Sequence, residues 1–256
     1  MSFRRRLERA YRICQKRIAP GLRFSQSQYE DALAGAVRPG VDWLDAGCGH
    51  HLLPVWREQA ERDLIGRAGS VTGLDPDWPS IRIHRSIRRR VRGTIRALPF
   101  PDASFDLVTA NMVVEHLEQP EQEFAEILRV LRPGGRFLFH TPNSRGYIVR
   151  AARLVPEALK KPLIRALEGR EAADVFPTWY RANSESDVAA VAKATGLEVE
   201  WVRPIRTDAV FAMVLPLAVP ELIWIRMLEK ESLRQHRPDL LVSMLRPVAA
   251  GNGNSP

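Results

Sequence analysis

The chain has 256 residues, 45% hydrophobic and 27% charged, enough to bury a full core as one domain with an appendage. Its two cysteines, Cys14 and Cys48, cannot build a disulfide framework, which points to a reducing, cytoplasmic setting. Residues 1–23 hold eight Lys or Arg against Glu8 alone, so nearly all of the net charge of +8 sits there and no nucleic-acid partner is expected, since such a domain builds its basic surface into the fold.

Arg4, Arg5 and Arg6 lead into a mixed, charged segment, unlike a secretory signal. Phe3, Leu7, Tyr11, Cys14 and Ile18 recur at helical spacing, and Pro20-Gly21 ends the helix. This basic amphipathic arm, residues 1–24, reads either as a surface helix packed on the domain or as one lying on anionic lipid. Glu8 and the scarcity of serine speak against an organelle-targeting peptide. A second helix is expected from Ser25 to Val37, then a turn at Pro39-Gly40.

Strand and helix signals then alternate. Strands are expected at 42–46, 70–74, 90–95, 105–110 and 136–141, with helices at about 52–64, 79–90 and from Pro120 to the break at Arg132-Pro133-Gly134-Gly135. That rhythm implies parallel βαβ units and a doubly wound α/β sheet. Further on, Asn183 or Ser184 caps a helix ended by Gly196, and strands are expected at 198–205 and 239–245. The apolar stretch 209–225 is broken by Pro216, Pro220 and Glu221, which argues for a buried helical insertion (about 207–235) over a membrane span, with an interfacial hairpin as the second reading. Residues 249–256 read as a disordered tail, and the domain proper as 25–248. The cluster Arg82, Arg85, Arg88, Arg89, Arg90 and Arg92 reads as a solvated basic face, or else as a site for an acidic or phosphate-bearing substrate.

Chemistry concentrates where Leu44-Asp45-Ala46-Gly47-Cys48-Gly49 ends the first strand. Glycines there let the backbone bend with positive φ and let a ligand reach bare main chain, at the strand edge where open α/β sheets hold ligands. A nicotinamide site would need G-x-G-x-x-G, but Leu52 stands at the last position.

Taken with Gly73-Leu74-Asp75-Pro76, Leu98-Pro99-Phe100, Phe105-Asp106-Leu107-Val108 and Leu131-Arg132-Pro133-Gly134-Gly135, that motif resembles the class I S-adenosylmethionine-dependent methyltransferases, in the branch that acts on small molecules. The resemblance covers residues 41–142 closely. It implies a Rossmann-like, mostly parallel seven-stranded sheet with an N-terminal helix and a C-terminal helical insertion, and S-adenosyl-L-methionine as cofactor. By the same resemblance Asp45, Ala46, Gly47, Cys48 and Gly49 would hold the methionine portion, Asp75 and Pro76 the ribose, and Thr94 and Ile95 the adenine. Asn111 and Met112 would border the methyl group, and Glu115 and His116 follow where such enzymes place a base. No third ligand accompanies that pair, so no metal is expected. Trp179, Tyr180 and Arg181 could close an acceptor pocket, or else anchor residues 144–175 onto the sheet. The chain departs from the family at His51, where a third glycine is common, and at Thr94 and Arg96, where acids are frequent. The expected function is methyl transfer to a small-molecule or lipid-like acceptor, with an anionic membrane surface as a partner and a cytoplasmic or peripheral-membrane location. A noncatalytic module that keeps the fold is the second reading.

Overall fold

Strand β1 (Asp42–Ala46) runs through the middle of the molecule's sheet, and Trp43 and Leu44 on it are wholly buried, as a strand covered on both faces requires. The structure is a computed structural model and describes residues 3–155 and 176–248. The expected tail at 249–256, and most of the segment 144–175, lie outside the described residues. Two compact units are present. The larger takes in residues 30–141, 179–202 and 241–248; the smaller takes in 3–29, 142–155, 176–178 and 203–240.

The sheet has seven strands: β1, β2 (Ser70–Asp75), β3 (Arg89–Arg92), β4 (Phe105–Asn111), β5 (Leu131–Pro142), β6 (Glu198–Ile205) and β7 (Asp239–Leu245), in the spatial order β3-β2-β1-β4-β5-β7-β6. Four pairings are parallel, and their register brings Ala46 opposite Leu74 and Ala110, Asp75 opposite Arg92, and Asn111 opposite His140. The carboxyl ends of β1 to β5 therefore share one edge. Because β2 lies on one side of β1 and β4 on the other, that edge contains the switch point at which doubly wound sheets bind ligands.

In the larger unit the helices are most of α2 (Ser25–Ala36), α3 (Glu58–Arg67), α4 (Trp78–Arg82), α5 (Pro120–Val130) and α7 (Glu185–Thr195). Pro120 sits in the first turn of α5, where its missing N–H costs nothing. Phe124, on that helix's buried face, meets Phe137 and Phe139 of β5 edge-on, with ring centroids 5.3 and 5.8 Å apart. Ser184 caps α7 by accepting the Asp187 N–H, and Gly196, at φ +85°, closes it.

Several boundaries differ from the sequence expectation; strand β3, expected at 90–95, spans 89–92, and the helix expected to end near Leu64 runs to Arg67. The helix after β1 begins at Glu58 rather than Leu52, because Leu52 and Leu53 turn inward and Pro54 bars a helix through them. The helix expected at 79–90 stops at Arg82, where Arg90 donates to the carbonyls of Arg82, His84 and Ile87 and closes the chain into a turn. Strand β5 starts at Leu131 rather than Arg136. Its glycine segment is paired, since the Gly134 N–H donates to the Arg246 carbonyl and the Arg246 N–H donates to the Gly135 carbonyl.

The smaller unit holds α1 (Phe3–Ile18), α6 (Tyr147–Leu154) and α8 (Leu215–Met227). Tyr11 of α1 packs with Ala209, Ala218, Leu222 and Ile225, flanked by Cys14, Ile18 and Leu22. Pro216 is accommodated at the start of α8, whereas Pro220 lies inside it.

Candidate active site

The turn after β1 is held from the next strand. The Gly47 and Cys48 N–H groups both donate to the Leu74 carbonyl, at 2.7 and 3.2 Å. Gly47 (φ +75°) and Gly49 (φ +53°) both occupy the left-handed region that favours glycine. A methyl group on Gly47 would fall 2.3 Å from Val113, whereas one on Gly49 would meet nothing within 4 Å, so bare main chain at Gly49 faces open space. The buried Asp75 carboxylate stands beside it: one oxygen accepts the Gly49 N–H at 2.9 Å and the other the Asp77 N–H at 2.8 Å.

Asp45, also buried, accepts the Thr109 hydroxyl at 2.6 Å, and that hydroxyl in turn accepts the Trp43 indole N–H. Burial pushes the Asp45 carboxyl up to about 7; the Thr109 bond opposes the shift and the nearby Asp75 charge adds to it. Cys48 packs its sulfur against Gly73, where a methyl group would lie 2.7 Å away, and burial pushes its thiol up, so it is a packing group rather than a nucleophile. His51 stacks on His50 with ring centroids 4.3 Å apart, and burial followed by the neighbouring imidazole lowers its pKa. Past β3, Thr94 is exposed and Ile95 buried, while Arg96 pairs with Glu118 at 3.2 Å.

Beyond β4, Met112 takes φ +57°, unusual for a side chain of its size, and its N–H donates to the His140 carbonyl. Asn111 Oδ1 lies 2.9 Å from His140 Nδ1. Glu115 is buried, and burial raises its pKa; it accepts the Thr141 hydroxyl at 3.0 Å, and Thr141 accepts the Asn183 amide at 2.7 Å. His116 is partly exposed, with Nε2 3.9 Å from Glu115 Oε1. The Trp179 and Tyr180 N–H groups both donate to the Glu115 carbonyl, and Arg181 donates to the Glu118 carbonyl while lying 5.3 Å over the Trp179 ring. The turn after β4 and the segment 179–181 are thus strapped together.

The comparisons bear on this edge. The sequence pattern of the methyltransferase-domain family matches residues 44–139. A probable S-adenosylmethionine-dependent methyltransferase of Mycolicibacterium smegmatis is 44% identical over 108 residues, 41% of this chain and 39% of that protein. Residues 44–139 thus carry a methyltransferase domain.

A fatty-acid O-methyltransferase of the same organism is 33% identical over 144 residues, 53% of this chain and 50% of that protein. The chain thus spans about two-fifths to half of these two relatives. A geranyl diphosphate methyltransferase solved with S-adenosylmethionine shares the fold, with a TM-score of 0.53 and 19% identity over 86% of this chain and 85% of that one.

Within this methyltransferase domain the structure brings Asp45–Gly49, Asp75, Asn111, Met112 and Glu115 to one sheet edge through the parallel register. The residues present fit the cofactor: an immobilised carboxylate suits a vicinal diol, and main chain with open space beside it suits a close-lying ligand. Thr109 and Thr141 did not stand out in the sequence, and Asn183 did so only as an alternative to Ser184 for the helix cap. A threonine inside a strand carries no local signal; only its pairing with a buried acid reveals it. Among the described residues no group of three His, Cys, Asp or Glu is placed to hold a metal ion.

Much of the arginine cluster lies elsewhere, although Arg92 stands opposite Asp75 and donates to the Pro76 carbonyl. A groove of about 630 Å3 at the amino ends of β2 and β3 is lined by Arg62, Arg85, Arg88, Arg89 and Arg90 among others. Arg85 there is satisfied by the fully buried Glu61. The arginines of β3 charge an edge strand, which discourages pairing with another chain.

Proposed function

We propose that the chain transfers a methyl group from S-adenosylmethionine to a small-molecule or lipid-like acceptor presented at an anionic membrane surface. The observation that carries this reading is the Asp75 carboxylate, fixed by the Gly49 and Asp77 N–H groups beside open space at Gly49. On this reading Asp75, with Pro76, holds the ribose hydroxyls and Asp45 through Gly49 hold the methionine portion. Thr94 and Ile95 receive the adenine, and Asn111 and Met112 border the methyl group.

The bound cofactor supplies an electrophilic methyl carbon. The chain's contribution is to hold the acceptor atom in line with it and to keep water away. A carboxylate acceptor is ionised at neutral pH and needs alignment alone, whereas a hydroxyl must lose its proton. His116 would take that proton at Nε2, with the buried Glu115 carboxylate steadying the imidazolium. Trp179, Tyr180 and Arg181 would close over the acceptor; their bonds to the Glu115 and Glu118 carbonyls support this. Similarity to a fatty-acid O-methyltransferase favours a lipid-like acid as the acceptor class.

Calorimetric titration tests the reading. S-adenosylmethionine and its demethylated product should both bind, and Asp75→Asn should weaken both by about tenfold or more, the worth of one charge-assisted hydrogen bond. No binding at millimolar ligand would overturn it. That result would favour a noncatalytic module, a reading supported by the exposed Thr94 and the ion-paired Arg96 where acids are frequent.

A further inference from the structure

Among the described residues, the smaller unit leaves one side of α8 exposed. Ala218, Leu222 and Ile225 face α1 and are buried, while Leu217, Ile223 and Met227 are exposed at 42–50%. The loop entering the helix exposes Val210, Met213 and Val214 as well. This loop is built rather than loose: Glu221 accepts the N–H groups of Val210 and Phe211 and also the Tyr147 hydroxyl, at 2.8–3.0 Å. Among the described residues no helix is long and apolar enough to cross a membrane.

The basic helix α1 packs on the opposite, buried side of α8 and is anchored at the loop that enters it. The Tyr11 hydroxyl donates to Asp208 and accepts the Ala209 N–H, Gln15 donates to Asp208, and Arg226 donates to the Ile18 carbonyl. Residue 11 therefore lies against the loop that enters α8, and residue 18 near the end of that helix. The first two turns of α1, carrying exposed Arg4, Arg5, Arg6 and Arg9, lead directly into the Tyr11 contact with this loop, from which Val210, Met213 and Val214 emerge. Glu8 is the one acid among them. Arginines beside exposed aliphatic side chains match an interface with acidic headgroups outside and acyl chains beneath. Another protein's surface would offer no comparable run of negative charge over an apolar layer.

We infer that the first two turns of α1 together with the 210–217 loop form a docking face for an anionic lipid surface. This rests on the membrane part of the proposed function and names the residues that perform it. Each arginine at the headgroup level strengthens binding roughly five-fold, an effect that salt screens within about 10 Å. The apolar residues add binding that salt leaves intact.

The experiment is sedimentation of the full chain with vesicles of phosphatidylcholine alone and of phosphatidylcholine mixed equally with phosphatidylglycerol, at low and high salt. The native chain should bind the mixed vesicles, and more weakly as salt rises. The combined Arg4→Glu, Arg5→Glu and Arg6→Glu variant should bind at least about tenfold less, and Val214→Ser with Leu217→Ser should lower the salt-resistant part. Far-ultraviolet dichroism establishes folding; if the triple variant fails to fold, Arg5→Glu alone, at an exposed position, takes its place.

Failure of the native chain to bind mixed vesicles overturns the inference, as does equal binding to neutral ones or retention on duplex DNA instead. Native-like binding by both variants would move the membrane contact to another face. Cofactor titration on the same samples separates this outcome from the catalytic reading, because neither measurement depends on the other.

Discussion

Asp45 illustrates how one residue serves opposing demands. Its carboxyl ionises at about 7 in the folded chain against roughly 4 when unfolded. A raised carboxyl pKa means that the folded state holds the proton more tightly. The stability it contributes is full below pH 4 and is lost as pH rises through 7. Asp45→Asn keeps an acceptor for Thr109 and removes the buried charge, so at pH 8 without cofactor it should raise stability by up to a few kcal/mol. Near pH 4 it should change little. Melting temperatures across that range check both expectations. The same substitution should weaken cofactor binding if the carboxylate serves the ammonium end.

At Gly47 the constraint is double: positive φ, and Val113 2.3 Å from any added methyl. Gly47→Ala should cost about 2 kcal/mol or more, of which Val113→Ala should recover the contact part and leave the backbone part of ~1–2 kcal/mol. Urea denaturation of the two single variants and the double variant measures this coupling. The need for glycine here was legible in the sequence as a strand-to-turn motif. The presence of Val113 was not, since it comes from a turn 66 residues later.

Among the elements, the segment 179–184 is joined to the turn after β4 by the chain Glu115–Thr141–Asn183 and by two main-chain bonds to the Glu115 carbonyl. Thr141→Val preserves the shape but strips hydrogen-bond partners from a buried acid and a buried amide. It should destabilise by ~1–3 kcal/mol, whereas Thr141→Ser should cost less. If 179–181 also closes an acceptor pocket, the valine variant should raise KM more than it lowers kcat, which steady-state kinetics would detect. The element pattern itself was largely legible, because apolar periodicity and the residues Pro120, Ser184 and Gly196 are local signals. The boundaries that shifted at Leu52, Arg82 and Leu131 did so where a proline, a local side-chain bond and long-range main-chain pairing, respectively, outweighed periodicity.

Over the whole molecule, charge and packing divide the work. Outside residues 1–23 the chain is almost neutral, so its long-range field is that of one helix. That helix is also structural, since Tyr11 is buried against Ala218, Leu222 and Ile225 and its hydroxyl is bonded to Asp208. Removing residues 1–20 should therefore uncover apolar surface in the smaller unit. The expected result is a lower melting temperature and increased binding of a hydrophobic dye, rather than a native-like protein lacking only its basic arm.

By itself the sequence determined the alternation of strands and helices, the glycine turn after β1 and the acid that ends β2. Each is encoded within a few residues, by periodicity or by a φ that only certain side chains tolerate. Tertiary structure alone decided that Thr109 meets Asp45, that Glu115 is paired through Thr141 to Asn183, and that, among the described residues, one side of α8 stays exposed. Those outcomes depend on burial and on hydrogen bonds between residues up to 64 positions apart, which no local pattern contains.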